Sequence, residues 1–455
     1  MKIAGIYTNK REDPSEVLGI DEPLGLEMIL GVAQQQGHIV DLFLDGNLYK
    51  IIDFEPELAV FSSTTSQISY IIELNNALKN KISNLISVIG GYHVSAVPET
   101  ILEGFDYAVI GEGEETFREL LKSIECGKDP SDIKGLVLNK DGKILINNKR
   151  ERISDLDLLP PPFRSQTVIS QKSNYIGYPE ASKRRVAYLE WERGCPYGCN
   201  FCASPQVIGR NVFYRSPKII IEQIKDLKER FGINSIFFTD LNMPLNGTKF
   251  IELLNALIAA NLGVSWSFMA SFSSVWNIDL FNKLKKSGCV KIAWGIENIA
   301  TNSNEIKKQT IKLPEFKKIQ EILNMAADHG IINEGFYIIG WPHETIGDIS
   351  EVGECLKILN LHCLRPTIFT PFPGTGAYQD LEQALIKPIL WNKFDTNHLV
   401  FIHPQGLTED GLRAQQKNIL SQFYNSKEYK QRIRKFVNDN PRYKLVFAEF
   451  LQNFI

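Results

Sequence analysis

The chain has 455 residues, 44% of them hydrophobic and 23% charged, and its 50 Lys and Arg against 53 Asp and Glu leave a net charge of −3. At roughly 150 residues per domain this predicts a multidomain globular protein and excludes a disordered chain, a collagen or a coiled-coil rod. The balanced charge gives no support for a nucleic-acid partner. No apolar run approaches the roughly 18 residues of a membrane span, and the N-terminus lacks a signal-peptide core, so no membrane partner and a cytoplasmic location are expected.

Residues 1–148 alternate strand and helix patterns. Candidate strands are Lys2–Tyr7, Ile39–Leu44, Leu58–Ser62, Leu85–Ile89 and Tyr107–Ile110. Between them, Leu24–Gln36, Ser66–Lys79 and Glu114–Glu125 carry apolar residues at three- and four-residue intervals. This alternation predicts an α/β fold with an open, mostly parallel, doubly wound sheet, which binds ligands at the carboxyl ends of its strands. The loops there are Ser62-Ser63-Thr64-Thr65-Ser66, Gly90-Gly91-Tyr92-His93 and Gly111-Glu112-Gly113-Glu114-Glu115. Taken singly, each is ordinary turn chemistry; small residues at strand ends also let a large planar ligand approach backbone amides.

Gly135–Asn148 reads as a hairpin turning at Asp141-Gly142, and the prolines of Asp155–Arg164 interrupt regular structure, so 149–182 is expected to be a linker. Residues 183–379 then alternate again. Strands are expected at Val186–Glu190, Ser235–Thr239, Ser265–Ala270, Lys291–Ile296, Gly335–Ile339 and Arg365–Thr370. The intervening helical patterns are Pro217–Phe231, Lys249–Ala260, Asp279–Ser287, Pro314–His329 and Ile346–Leu359. Such a series is short of a closed (β/α)8 barrel, so a partial (β/α)6 barrel is predicted. Residues 380–455 read as a helical C-terminal domain, with the basic stretch Lys427–Lys435 a solvated helix face.

Seven cysteines are too few for a disulfide scaffold. Cys126, Cys289, Cys355 and Cys363 are scattered, whereas Cys195, Cys199 and Cys202 share the segment Arg193-Gly194-Cys195-Pro196-Tyr197-Gly198-Cys199-Asn200-Phe201-Cys202, directly after a strand. On the residues alone, three readings stand. The thiolates hold an iron–sulfur cluster with one iron open to an exogenous ligand; they belong to a zinc site completed from a distance; or they are buried thiols beneath a turn.

The C-x3-C-x2-C spacing after the first strand of a βα-rich domain resembles the radical S-adenosylmethionine (SAM) superfamily. Further segments follow in the family's order. Trp294-Gly295-Ile296-Glu297-Asn298 resembles its GIES-type strand, Gly335–Thr345 its G-x-P-x-E-T segment, and Pro371-Phe372-Pro373-Gly374-Thr375 its PGT segment. The resemblance implies a [4Fe–4S] cluster on Cys195, Cys199 and Cys202, which are also the catalytic residues it assigns. It places SAM on the open iron, with Phe201 near the adenine and Glu297 in contact. Two departures bear on the SAM contacts. Thr239-Asp240-Leu241-Asn242 stands where the family often has paired acids, and Trp266–Phe272 lacks the third-strand arginine of many relatives.

The N-terminal region, through Pro23-Leu24-Gly25-Leu26 and the three loops, resembles the cobalamin-binding domain that precedes many radical SAM domains. This implies cobalamin contacts at Ser62, Ser63, Thr64, Gly90, Gly91, Gly111, Glu112 and Gly113. The Asp-x-His-x-x-Gly motif that brings a histidine to cobalt is absent, since His38 and His93 have other neighbours. A methylthiotransferase would need a second cysteine triplet, but only Cys126 precedes Cys195. Members of the resembled group that carry cobalamin also have a helical cap like His398–Phe423.

The implied function is a cobalamin-dependent radical SAM methyltransferase acting on an unactivated carbon of a small-molecule or natural-product substrate. One SAM would methylate cobalamin, a second would yield the hydrogen-abstracting radical, and a flavodoxin or ferredoxin would supply electrons. The alternatives are a cyclisation, rearrangement or oxidation with the same cofactors, and a non-catalytic cobalamin or redox sensor.

Overall fold

The computed structural model describes residues 1–8, 22–44, 47–140, 143–165, 185–298 and 315–452. The first sheet contains β1 (Lys2–Tyr7), β2 (Ile39–Leu44), β3 (Leu58–Ser62), β4 (Ile86–Gly90), β5 (Tyr107–Val109), β6 (Leu136–Lys140) and β7 (Lys143–Ile146). Its order is β2-β1-β3-β4-β5-β6-β7. The first five strands are parallel and the last two antiparallel. The chain runs outward in one direction from β1 to β2 and in the other from β1 to β3. The topological switch point therefore lies at the carboxyl ends of β1 and β3.

β1 and β3 are buried almost throughout, as parallel strands covered on both faces must be. Two apolar layers flank them, one around Phe61, Ile71 and Ile89 and the other around Ile3, Leu30 and Leu120. Besides the expected helices, the structure has Leu48–Phe54 and the short Tyr92–Ala96, which the sequence pattern did not mark. The hairpin is the β6–β7 pair and extends the sheet edge, while its Asp141-Gly142 turn lies outside the described residues.

Of the segment read as a linker, 166–182 also lies outside the described residues. The preceding stretch packs firmly: a Cβ on Gly31 would meet the Pro161 carbonyl at 2.4 Å, and Phe163 N–H donates to the Glu27 carbonyl at 2.8 Å. Arg164 is buried between Glu22 and Glu27, 2.6 Å from each, and also donates to the Tyr188 carbonyl.

The second sheet begins with β8 (Val186–Leu189). It is followed in the chain by a two-residue antiparallel ribbon, β9 (Glu192–Arg193) with β10 (Phe213–Tyr214). The remaining strands are β11 (Ser235–Phe238), β12 (Ser265–Ala270), β13 (Cys289–Glu297), β14 (Ile332–Ile339) and β15 (Cys363–Ile368). All pairings of the order β15-β14-β13-β12-β11-β8 are parallel, giving the expected partial barrel. Aromatic side chains pack between this sheet and its helices: Trp266 stacks on Phe268 with Phe250 of the Gly247–Ala260 helix against both, and Phe272 stacks on Trp294 with centroids 4.7 Å apart. Farther down, Glu334 on β14 binds Lys291 of β13 at 3.0 Å and Arg365 of β15, tying three strands in register.

The barrel helices match the expected ones within a few residues, although Pro314 lies outside the described residues. The C-terminal region is helical over Glu409–Asn425, Lys427–Asp439 and Lys444–Gln452. The basic helix is not wholly solvated, for Tyr429, Ile433 and Phe436 turn into the core. Among the described residues no helix is long and apolar enough to cross a membrane.

Candidate functional site

The three cysteines sit on an excursion closed at its base by the β9–β10 ribbon, where Arg193 pairs with Phe213 and Glu192 with Tyr214. Gly194 makes the turn into it. Its φ is +119°, and a Cβ would lie 2.0 Å from the Asn211 carbonyl oxygen, so both the torsion and the space demand glycine. Within the loop, Cys195 N–H donates to the Gly209 carbonyl at 3.1 Å and Cys202 N–H to the Cys199 carbonyl at 3.2 Å. Cys195 and Cys199 are buried and Cys202 is half-buried.

Among the described residues no three His, Cys, Asp or Glu side chains gather around a single point as a mononuclear metal requires. A cubane differs: each thiolate binds its own iron, so the ligands stand apart around the cluster. An all-cysteine donor set on one constrained loop suits that group.

The loop is held from the C-terminal side by the PGT segment. Asn200 donates to Asp380 at 2.9 Å, Ala377 N–H donates to the Asn200 carbonyl at 3.0 Å, and a Cβ on Gly376 would fall 1.7 Å from Asn200 Oδ1. Phe201 meets Trp341 edge-on at 5.2 Å, and both line a cavity of ≈ 140 Å³ with Phe369 and Leu381. Glu297 ends β13 with φ +55° and folds back over Gly295, whose added Cβ would lie 2.8 Å from its Oε1. Asn242, after β11, is buried, and neither amide atom has a partner among the described residues, as expected of a ligand-facing side chain at the carboxyl end of a barrel strand.

Glu344 closes the loop after β14. It accepts from the N–H groups of Gly340 at 2.7 Å and Trp341 at 3.0 Å, and from the Asn298 amide. Burial pushes its carboxyl up to about 7.

A larger cavity of ≈ 360 Å³ lies between the sheets. Ser62, Ser63, Thr64, Gly90, Gly91, Gly111, Glu112 and Gly113 all line it from the first sheet. Glu190, Glu192, Arg193, Thr239, Asp240 and Leu241 line it from the barrel side. Gly91 has φ +105° and a Cβ there would meet the Ser63 carbonyl oxygen at 2.6 Å, so the backbones of two loops touch where a side chain would separate them. A mouth of small residues, opened over a switch point and facing the cluster loop, fits a large planar cofactor. The cysteines and Glu297 line neither cavity.

Glu112 stands at the wall, but its carboxylate is engaged: Oε1 lies 3.3 Å from Arg193, while Oε2 lies 3.0 Å from Arg152 and accepts the Ile153 N–H at 2.9 Å. Arg193 also reaches Glu114 at 2.8 Å and Glu190 at 2.8 Å. Tyr92 hydrogen-bonds Ser204 beside Cys202, and its buried hydroxyl is raised above the ordinary tyrosine value, first by burial.

Sequence reasoning passed over Tyr92, Glu190, Glu192, Arg193 and Asp240. The signal for Arg193 was its place two residues before Cys195; for Asp240 it was a lone acid at a strand end. His93 is buried with Nδ1 unpartnered among the described residues, rests edge-on against Trp391 at 5.1 Å, and is lowered by burial to about 4. It does not line the large cavity.

The B12 binding domain model matches residues 15–121, and the Radical SAM superfamily model matches residues 190–356. An uncharacterized methyltransferase of Pyrococcus horikoshii is 28% identical over 388 residues, covering 82% of each chain. An anaerobic magnesium-protoporphyrin IX monomethyl ester cyclase of Rubrivivax gelatinosus is 24% identical over 84% of this chain and 70% of its own. Among solved structures, the radical SAM methyltransferase TsrM of Kitasatospora setae, with cobalamin and a [4Fe–4S] cluster bound, superposes with a TM-score of 0.67 at 16% identity. It covers 84% of this chain and 78% of its own, a likeness of fold. The chain uses SAM, a [4Fe–4S] cluster and cobalamin.

Proposed function

We propose that this chain, which belongs to the cobalamin-dependent radical SAM enzymes, methylates an unactivated carbon of a small-molecule substrate. The observation that carries this reading is the shared cavity. Loops of the cobalamin-binding sheet and the barrel residues that lead into the cysteine loop line one space, so cobalamin held there would lie beside the loop that carries the cluster. Bound together, the three cofactors supply a hydrogen-abstracting radical and a transferable methyl group.

The chain's own residues hold and orient these groups. Cys195, Cys199 and Cys202 would ligate the cluster, Phe201 would flank the adenine, and Glu297 would contact SAM. Ser62, Ser63, Thr64, Gly90, Gly91, Gly111 and Gly113 would cradle cobalamin, and Glu112 would fix the cradle to the barrel through Arg193 and Arg152. The domains that follow are a cobalamin-binding domain at 1–148, a linker at 149–182, a radical SAM core at 183–379 and a helical domain at 380–455. A flavodoxin or ferredoxin is the proposed electron source, and a cytoplasmic location the proposed setting.

The test is anaerobic turnover with candidate substrates. Methylation adds one CH2 to the product mass and releases both S-adenosylhomocysteine and 5′-deoxyadenosine. A product whose mass lacks that CH2 overturns the methyltransferase and favours the second reading, a cyclisation, rearrangement or oxidation. The resemblance to the Rubrivivax cyclase supports that alternative. A sensor would release neither SAM-derived product.

A further inference from the structure

Glu192 begins β9 and is 2% exposed, and neither carboxyl oxygen has a hydrogen-bond partner among the described residues. Among the described residues no Lys or Arg forms an ion pair with it, and Lys249 lies instead over the neighbouring Tyr214 ring, 4.7 Å from its centroid. Arg193, the next residue, directs its guanidinium to Glu190, Glu112 and Glu114. The neighbouring acid Asp240 is equally buried and accepts the N–H groups of Trp191, at 3.0 Å, and of Glu192 itself. The Tyr214 ring stands across the ribbon.

An unmade hydrogen bond on a buried polar group is destabilising, and a buried unpaired charge more so. Neither oxygen has a donor or a cation among the described residues, and burial first, then Asp240, raise Glu192 well above the ordinary carboxylate value, which favours the neutral acid. A neutral carboxyl presents one O–H donor beside one carbonyl acceptor, the complement of a primary amide. Such a group needs an explanation from outside the chain's own hydrogen bonds.

Glu192 lines the cavity whose opposite wall is the cobalamin-binding loops. The corrin ring of cobalamin carries primary amides around its rim. We propose that Glu192 is a cobalamin-binding residue whose carboxyl group pairs with one of these rim amides. The contact belongs to the barrel rather than to the cobalamin-binding sheet, so the cofactor is gripped from both sides. It rests on the cavity being the cobalamin site.

The test titrates hydroxocobalamin into the cluster-reconstituted full chain and follows visible absorbance. Glu192→Ala raises Kd about tenfold, the equivalent of one lost hydrogen bond of about 1.4 kcal/mol. Glu192→Gln, which keeps a donor and an acceptor, stays within about threefold. Difference infrared spectroscopy of the unaltered chain shows a protonated-carboxyl C=O band that shifts when hydroxocobalamin binds and is missing from Glu192→Gln. This second measurement decides the matter if the alanine variant fails to fold.

An unchanged Kd in a folded Glu192→Ala chain, or a carboxyl band indifferent to hydroxocobalamin, overturns the proposal and assigns the partner to a buried water. Failure of the unaltered chain to bind hydroxocobalamin instead overturns the cavity assignment beneath it.

Discussion

Arg193 places Nη2 2.8 Å from the Glu114 carboxylate, joining the approach to the cysteine loop to the first residue of a helix in the cobalamin-binding sheet. Both side chains are almost wholly buried. Although burial pushes Glu114 up, Arg193 holds it below its ordinary value, so the pair stays ionised.

Removing one partner of a buried ion pair strands the other. Arg193→Met leaves Glu112 and Glu114 buried without their shared cation and is expected to destabilise the chain by about 3–5 kcal/mol. Urea unfolding of the cofactor-free protein measures this directly. A shift within error of zero would mean that solvent reaches the pair.

The cluster assignment predicts about four irons per anaerobically reconstituted chain. Cys199→Ala is expected to lose the cluster's visible absorbance and most of its iron. Iron retained in that variant would place the cluster elsewhere. Cys126→Ala, on an exposed thiol far from the loop in sequence, should keep the full complement.

Gly91 occupies φ +105° and ψ −170°, a region open essentially to glycine alone. Gly91→Ala is expected to cost about 1–3 kcal/mol in backbone strain, with more from the contact with Ser63. Because the same shift would push apart the loops that form the cavity wall, hydroxocobalamin affinity should fall as well. Thermal unfolding and a visible titration read these effects separately.

Burial raises Glu344 from 4.5 to about 7. Between those values the native chain binds more protons at this site than the unfolded chain does. The contribution is therefore fully present below pH 4.5 and is lost as pH rises through about 7. Its size is about 3 kcal/mol at most. Glu344→Gln should flatten this region of the stability profile, as unfolding at pH 5 and pH 7.5 in both chains would reveal.

His93 works in the opposite direction. Its folded value of about 4 lies under the ordinary 6.5, so its contribution is present above 6.5 and is lost as pH falls through about 4.

The elements of the fold legible in the sequence were those written in local periodicity. Parallel strands buried on both faces gave continuous apolar runs such as Leu58–Phe61, and the helices between them carried three- and four-residue spacing. The cysteine loop was legible because its donors are close in sequence. Arg193, Glu192 and Asp240 were harder, since their significance depends on partners brought in from afar. Arg193 meets residue 112 across 81 positions, and Asp240 meets the Glu192 N–H across 48. Arg164 likewise lay in a proline-broken segment that looked like a plain connection, but Glu22 and Glu27 fix it by charge. Periodicity carries no record of such long-range pairings. They emerge only once two sheets face each other.

The cysteine excursion is fastened at its base by the β9–β10 ribbon, to the cobalamin-binding sheet by Arg193 and Tyr92, and to the C-terminal side by Asn200. A loop tethered in three directions behaves as a spacer of fixed length. If the cluster sits on this loop and the corrin in the large cavity, the gap between them would be set at the level of side-chain bonds rather than by any swing of whole domains. Substrates of different size would then be accommodated by reshaping the cavity walls, with the gauge between the two sites held constant.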